Sequence, residues 1–143
     1  MNFNVIYTDN NKVYLYKNGE KRELNEKIDY YLERLCLSCG ATFKGNMAAS
    51  KKMLPRSKKV PIYIASLNDY LIPLASPANS DCLWIKASNY LTCYELDGQS
   101  YIKFKDRSVL EVVFSTFTIR MQYQKYCELE QKRNEMTMID GFY

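Results

Sequence analysis

The chain contains no histidine, and this absence restricts the chemistry that its side chains can perform. Ser-His-Asp and Cys-His nucleophiles, histidine general bases and histidine-ligated catalytic zinc are all excluded. Carboxylates, lysines and tyrosines remain as possible catalytic groups, but no pair of acidic residues stands at a spacing that suggests catalysis. The composition therefore favours a binding protein over an enzyme.

Five cysteines offer thiol chemistry. Cys36 and Cys39 form a C-x-x-C pair, and Cys82 with Cys93 could complete a four-thiolate zinc site. However, the interval from Cys82 to Cys93 is a poor match to the short spacings of zinc ribbons, and Cys36 and Cys39 fall on an apolar helical stripe. We expect reduced thiols, with Cys36 and Cys82 in the core, and keep a zinc-stabilised module as an alternative.

Gly40 and Gly45 have the spacing of a phosphate-binding loop, G-x-x-x-x-G. Asn46 and Met47 stand where that loop requires a lysine followed by Ser or Thr. Without the lysine the loop cannot reach the β and γ phosphates, so we expect neither nucleotide binding nor a cofactor. The glycines could instead allow a close approach of the backbone to a partner, and Gly40 could also end a helix.

Positive charge is concentrated in the middle of the chain. Between residues 34 and 68 there are seven basic residues and no acidic one. Because the net charge of the whole chain is +4, the remaining residues together carry a net charge of −3. Such a stretch is typical of proteins that bind a phosphate backbone, although a solvated basic loop would look the same. The basic residues are Arg34, Lys44, Lys51, Lys52, Arg56, Lys58 and Lys59.

The elements that must position these residues follow from the hydrophobic periodicity. Alternation predicts strands over residues 3–8, 12–17 and 21–24, separated by tight turns. Asn25 is a predicted N-cap for a helix that carries an apolar stripe from Ile28 to Cys39. A second helix is predicted from Phe43 to Leu54, because Pro55 would end it.

The second half of the chain predicts two further hairpins and a final helix. Residues 60–65 and 70–74 form the first hairpin, residues 76–81 form a loop, and residues 82–96 fit either helix or strand. Asp97-Gly98 predicts the turn of the second hairpin. Residues 117–135 suit an amphipathic helix.

Together these elements predict one α+β domain over residues 1–143: small antiparallel sheets or hairpins, a central helix and a C-terminal amphipathic helix. The expected core residues include Phe3, Ile62, Trp84, Phe104 and Phe114. No apolar run is long enough to span a bilayer and the polar start is not a signal peptide, so we expect a cytoplasmic protein.

A set of spaced anchors runs through the basic centre of the chain: Cys36, Gly40-x-x-Phe43-x-Gly45, Lys59-x-Pro61-Ile62, Pro73, Ser76 and Cys82-x-Trp84-Ile85. In these anchors the sequence resembles the ComK family of bacterial competence transcription factors. The resemblance covers residues 34–86, about a third of the chain. It departs from the family pattern after the second glycine, where Asn46 and Met47 replace the usual Arg and Lys.

The resemblance implies a DNA-binding activator of genes for DNA uptake and transformation. Such proteins bind paired A·T-rich boxes of double-stranded DNA, largely through the minor groove, as homodimers or higher homo-oligomers. The C-terminal tail of relatives serves adaptor-linked proteolysis, so a proteolysis adaptor is a further expected partner. The expected DNA-binding residues are Gly40, Lys44, Gly45, Asn46, Lys51, Lys52, Arg56, Lys58 and Lys59.

The departure at Asn46 and Met47 keeps a different hypothesis open. A family member that lacks the usual basic pair could be a protein-interaction module that has lost DNA binding. The two hypotheses differ in whether the remaining lysines and arginines lie together on one exposed surface.

Overall fold

The structure is a computed structural model that describes the backbone of residues 2–76 and 82–140, and the side chains of these residues up to 136. It confirms the α+β class. The α-helices are α1 (Ile28–Leu37), α2 (Phe43–Met53) and α3 (Thr116–Asp140). The strands are β1 (Val5–Asp9), β2 (Lys12–Lys17), β3 (Glu20–Leu24), β4 (Ile62–Ile64), β5 (Asp69–Pro73), β6 (Trp84–Lys86), β7 (Tyr90–Leu96), β8 (Gln99–Phe104) and β9 (Val109–Val112). The predicted loop over 76–81 lies, from residue 77 on, outside the described residues.

Three tight turns close hairpins at the positions that the sequence predicts. Asn10-Asn11, Asn18-Gly19 and Asp97-Gly98 all have positive φ, from 49° to 80°. Positive φ at both central residues is typical of the type I′ turn, whose twist matches that of the paired strands. Asn, Asp and Gly adopt this conformation at the lowest cost.

The separate hairpins join into one antiparallel sheet of six strands, in the order β3-β2-β1-β6-β5-β4. The joining pair is β1 with β6, in which Val5 lies opposite Ile85 and Ile6 lies opposite Trp84. The stretch over 82–96, which fits helix or strand in the sequence, contains β6, a short 3-10 turn (Ala87–Asn89) and β7.

Both faces of this sheet are buried at its central strands β1, β6 and β5, because successive residues of a strand point to opposite sides. Ile6 and Trp84 belong to a cluster that includes residues of α1 and the start of α2. Val5 and Ile85 belong to a second cluster that includes residues of α3. The helices α1 and α2 therefore cover one face and α3 covers the other.

A second antiparallel sheet, in the order β7-β8-β9, lies on the α3 side. Its inward residues Cys93, Ile102 and Phe104 are buried in the second cluster. The outward side chains of its strands alternate with these and are exposed or half-buried. The fold thus has three layers, with the six-stranded sheet in the middle.

The predicted core residues Phe3, Ile62, Trp84 and Phe104 are buried. Phe114 is only half-buried, because it follows the end of β9 at the rim of the second cluster.

The predicted N-cap of α1 is wrong. Lys27, not Asn25, occupies the N-cap position, and no side chain caps this helix end. Two other interactions compensate: Asp29 in the first turn suits the positive end of the helix dipole, and Arg34 pairs with Glu26 at 2.7 Å.

Asp106, in the turn between β8 and β9, ties the second sheet to the first. Its carboxylate accepts hydrogen bonds from Asn4 Nδ2 at 2.7 Å, from the Asn18 backbone N–H at 3.0 Å and from the Ser108 N–H at 2.9 Å. Slight burial would raise the pKa of Asp106, but a hydrogen bond from the Ser108 hydroxyl and, after it, the bonds from Asn4 and the two backbone N–H groups outweigh burial and lower the pKa to about 2.

We predict that Asp106→Asn lowers the free energy of unfolding at pH 7 by roughly 1 kcal/mol, because it weakens hydrogen bonds to a charged but exposed acceptor. The folded-state pKa lies below the reference value of 3.8, so the stabilisation is present above that value and is lost as the pH falls toward 2. Urea unfolding of both proteins at neutral pH and at about pH 3 measures the effect, which should be smaller in acid.

Asp97→Asn is the matched control, since it makes the same change in the exposed β7–β8 turn. It should alter stability by less than about 0.5 kcal/mol. An Asp106→Asn effect that does not vary with pH would contradict the role given to the carboxylate charge.

Candidate nucleic-acid interface

Helix α2 carries the central lysines, and its N-terminus is fixed by local contacts. Thr42 is the N-cap, and its side-chain oxygen accepts a hydrogen bond from the Gly45 N–H at 2.9 Å. The Phe43 N–H donates to Glu33 Oε2 of α1 at 3.3 Å, and the Phe43 ring lies edge-on to Trp84 with 5.7 Å between centroids. The helix is therefore held against both α1 and the six-stranded sheet.

The solvent side of α2 presents Lys44, Lys51 and Lys52, all exposed, and we call this surface the lysine face. At about 100° per residue, the three lysines fall within one half of the helix surface. Ala48, which lies between them on this surface, is small and exposed. Lys44 and Lys51 are about 10 Å apart along the helix axis, given a rise of about 1.5 Å per residue.

The opposite side of α2 is half-buried and carries Asn46 and Met47. Asn46 Nδ2 donates to Cys36 Sγ of α1 at 3.5 Å, and Met47 packs against both core clusters. Asn46, which was expected among the DNA-binding residues, is therefore turned toward α1 and away from the lysine face.

The two glycines of the G-x-x-x-x-G spacing each have a local structural role. Gly40 has φ of +74° just after α1, where the Ala41 N–H donates to the Cys36 carbonyl at 3.2 Å. This is the left-handed helix end that glycine favours. At Gly45 an added Cβ would lie 2.9 Å from Thr42 Oγ1, so the cap leaves no room for a side chain. Both glycines are also exposed.

Within the described residues, no carboxylate pairs with the charges of the lysine face. Among the described residues, Arg34 is the basic residue of the central stretch that pairs with a carboxylate. The other six basic residues of that stretch form no ion pair with a carboxylate of the described residues: Lys44, Lys51, Lys52, Arg56, Lys58 and Lys59. Of these six, Lys59 is half-buried and the others are exposed.

Helix α3 anchors the loop that follows α2. The Gln122 side chain is buried, and its Nε2 donates to the Lys59 carbonyl at 3.0 Å and to the carbonyl of the last residue of β5 at 2.6 Å. Lys125 Nζ donates to the same Lys59 carbonyl at 3.2 Å. Lys132 Nζ donates to the Met53 carbonyl at 2.8 Å, at the C-terminal end of α2, where a cation suits the helix dipole.

A cleft of about 670 Å³ lies between this loop and α3, and we call it the basic cleft. Apolar residues such as Leu54 and Met121 line it together with Glu128. Its basic residues are Arg56, Lys58, Lys125 and Lys132.

The cations in this region lie close enough to affect one another. Burial, and after it the charge of Lys59, lowers the pKa of Lys125. A bound anion would offset this repulsion, so the local electrostatics favour a negatively charged partner.

Lys125 and Lys132 were not among the site residues predicted from the sequence. They are seven residues apart, two helical turns, so one side of α3 presents both of them. The same side of α3 carries Gln122 and the buried Leu129. Polar residues on the core-facing side of a predicted amphipathic helix were the signal that could have identified this contact.

The cysteines do not come together as a metal site. Cys36 and Cys82 lie in the first core cluster and Cys93 lies in the second, while Cys39 is exposed. In the part of the chain that the structure describes, no group of three His, Cys, Asp or Glu residues could hold a metal ion. Burial raises the pKa of Cys36 and raises that of Cys82 to about 11, as expected of thiols packed in the core.

Comparisons with known proteins identify the family. A family model described as ComK protein matches residues 7–137, nearly the whole chain. No curated protein and no solved structure matches it. None of the helices in the described ranges combines the length and the apolar character that crossing a membrane requires. Because the family match extends over both sheets and the helices that carry the basic residues, the chain belongs to the ComK family, which is a family of competence transcription factors and not of enzymes.

Proposed function

We propose that this protein activates competence genes by binding A·T-rich boxes of double-stranded DNA, mainly through the minor groove. The observation that carries the proposal is the lysine face, on which three exposed cations stand on one helix and pair with no carboxylate in the described part of the chain. Family membership supports a transcription factor, and the lysine face supplies a physical means of holding DNA.

Phosphate binding supplies most of the affinity in this mechanism. Lys44, Lys51 and Lys52 contact backbone phosphates from α2, while Arg56 and Lys58 contact them from the following loop. Each neutralised phosphate releases condensed counterions, which makes binding favourable and dependent on salt. The basic cleft adds Lys125 and Lys132 to the same positive region.

Selectivity for A·T-rich DNA follows from groove shape. A·T tracts have a narrow minor groove with a strengthened negative potential, which attracts inserted lysine and arginine side chains. The minor-groove edges distinguish A·T from G·C and little more. Two boxes at a fixed helical spacing, bound by a homo-oligomer, would supply the remaining selectivity.

The departure from the family pattern at Asn46 and Met47 is compatible with DNA binding. Both residues belong to the half-buried side of α2, and the exposed lysines lie on the other side. A substitution on the packed side leaves the charge of the lysine face unchanged. This placement favours the activator over the protein-interaction module that has lost DNA binding.

Preferential binding to A·T boxes is the first prediction of this proposal. A duplex with two A·T boxes should bind more tightly than a G·C-rich duplex of the same length, as measured by fluorescence anisotropy over a range of salt concentrations. If about six phosphates are neutralised, the slope of log K against log salt should be near −5, at about −0.9 per phosphate. A slope near zero, or equal affinity for both duplexes, would contradict the proposal.

The second prediction concerns the lysine face. Lys51→Gln with Lys52→Gln should weaken binding to both duplexes and reduce the steepness of the salt slope by about 2, because two phosphate contacts are lost. Circular dichroism should be unchanged, since both side chains are exposed.

The matched control is Lys17→Gln with Lys27→Gln, which removes the same charge from exposed positions on β2 and before α1. The control should leave the salt slope within experimental error of the parent. If both pairs change the slope equally, net charge and not the lysine face determines binding.

A further inference from the structure

The outward side of the second sheet is more apolar than a solvated sheet surface normally is. We call it the outer face. The exposed fraction is 56% for Leu96, 39% for Val109 and 36% for Tyr94. Antiparallel sheets with one face in water usually place polar residues there, and exposed apolar patches mark interaction sites. The outer face comprises Thr92, Tyr94, Leu96, Gln99, Tyr101, Lys103, Val109 and Glu111.

The strand register arranges these residues around Tyr101. Tyr94 and Glu111 lie beside it on the neighbouring strands, and the Tyr94 and Tyr101 rings stack with 5.4 Å between centroids. Lys103 lies two residues along β8. Neighbouring strands are about 4.8 Å apart and residues two apart on a strand are separated by about 6.6 Å. Glu111 therefore lies about 4.8 Å from Tyr101 across the strands, and Lys103 lies about 6.6 Å from it along the strand, in a perpendicular direction.

One diagonal of this arrangement is apolar. It runs from Leu96, which is opposite Gln99, through Tyr101 to Val109, which is opposite Lys103. Lys103 and Glu111 stand on either side of this diagonal. A two-fold axis along it would place Lys103 of one copy opposite Glu111 of another, and each residue on the diagonal opposite its own counterpart.

We propose that the outer face binds a second copy of this chain about this two-fold axis. The same surface then meets itself, and residue pairs are exchanged symmetrically, as in an isologous dimer. The strands of the two sheets then cross at roughly 70°, which is nearer to the orthogonal than to the aligned way for sheets to pack. The stacked tyrosines supply a preorganised aromatic centre.

The charge of the outer face favours this occupant over DNA. Its one lysine and one glutamate cancel, and they complement each other across the axis, whereas DNA would require an excess of cations. The face is small, so the dimer should be weak in solution and reinforced when two copies bind neighbouring boxes on one duplex. Only that reinforcement rests on the proposed function.

A charge-swap experiment tests the arrangement. Lys103→Glu alone or Glu111→Lys alone sets like charges opposite each other at two symmetric sites, and each should weaken the dimer about tenfold or more. The double variant restores opposite charges and should return the dimer to within about threefold of the parent. Sedimentation velocity over a range of protein concentrations measures dimerisation without DNA, and one-box and two-box duplexes measure cooperativity.

Lys17→Glu, on β2, is the matched control and should leave dimerisation unchanged. In a Cys39→Ser, Cys127→Ser background, which removes the exposed thiols, Val109→Cys should form a disulfide-linked dimer on oxidation. Thr92→Cys in the same background should not, because Thr92 stands away from the axis. Cross-linking of both variants to the same extent would place the axis elsewhere and overturn the arrangement.

The other outcomes assign the outer face differently. A parent protein that stays monomeric at all concentrations and binds two-box DNA without cooperativity would overturn the proposal, as would a double variant that dimerises no better than the single ones. If Lys103→Glu weakens one-box binding, the outer face contacts DNA and not a second copy. Failure of the parent to bind one-box DNA would overturn the proposed function, while the sedimentation result would still decide the dimer surface.

Discussion

Two opposed residue pairs, Val5 with Ile85 and Ile6 with Trp84, join β1 to β6. They connect strands β1–β3 to the β4–β5 hairpin, which pairs with β6, and the position of the lysine face depends on them. Because side chains alternate along a strand, the same pairing directs Trp84 toward the helices and Ile85 toward α3. Trp84 in turn packs against Phe43, the first residue of α2. A strand pair that is distant in sequence therefore sets the direction in which the central lysines point, at the entropic cost of closing a long loop.

Helix α3 fixes the second half of the basic region by satisfying backbone carbonyls. The buried Gln122 amide donates to two of them, and Lys125 and Lys132 donate to carbonyls of the same connection. A buried carbonyl without a donor would cost about 1–3 kcal/mol, so these contacts hold the loop where it is. The same contacts place Lys125 and Lys132 in the basic cleft. The positive charge of the cleft therefore depends on how α3 packs against the loop. Changes in α3 that loosen this docking should alter DNA binding without touching the lysine face.

The local elements could be read from the sequence because local physics determines them. Asn-Gly and Asp-Gly turns require positive φ, and Pro55 follows the helix that it was expected to end. The joining of the hairpins through β1 and β6 could not be read, because any apolar strand could have paired with β1. In the candidate site the exposed lysines were identified from charge alone, whereas the inward turn of Asn46 toward Cys36 depends on how α1 packs beside α2. The α3 lysines were missed because their role comes from tertiary contacts with a distant loop.

The N-terminal turn of α2 adds a separate argument for the proposed contact of this surface with phosphate. Helix N-termini favour acidic residues, yet the first turn of α2 has none and carries Lys44. Glycine within a helix costs about 1 kcal/mol relative to alanine. The presence of Gly45 is nevertheless explained by the Thr42 cap, which leaves no room for a Cβ at this position. Lys44 has no such local explanation, since it is exposed and unpaired with any described carboxylate. A phosphate beside this turn would interact favourably with both the lysine and the positive end of the helix, so a feature that is unfavourable in the free protein becomes favourable in the complex.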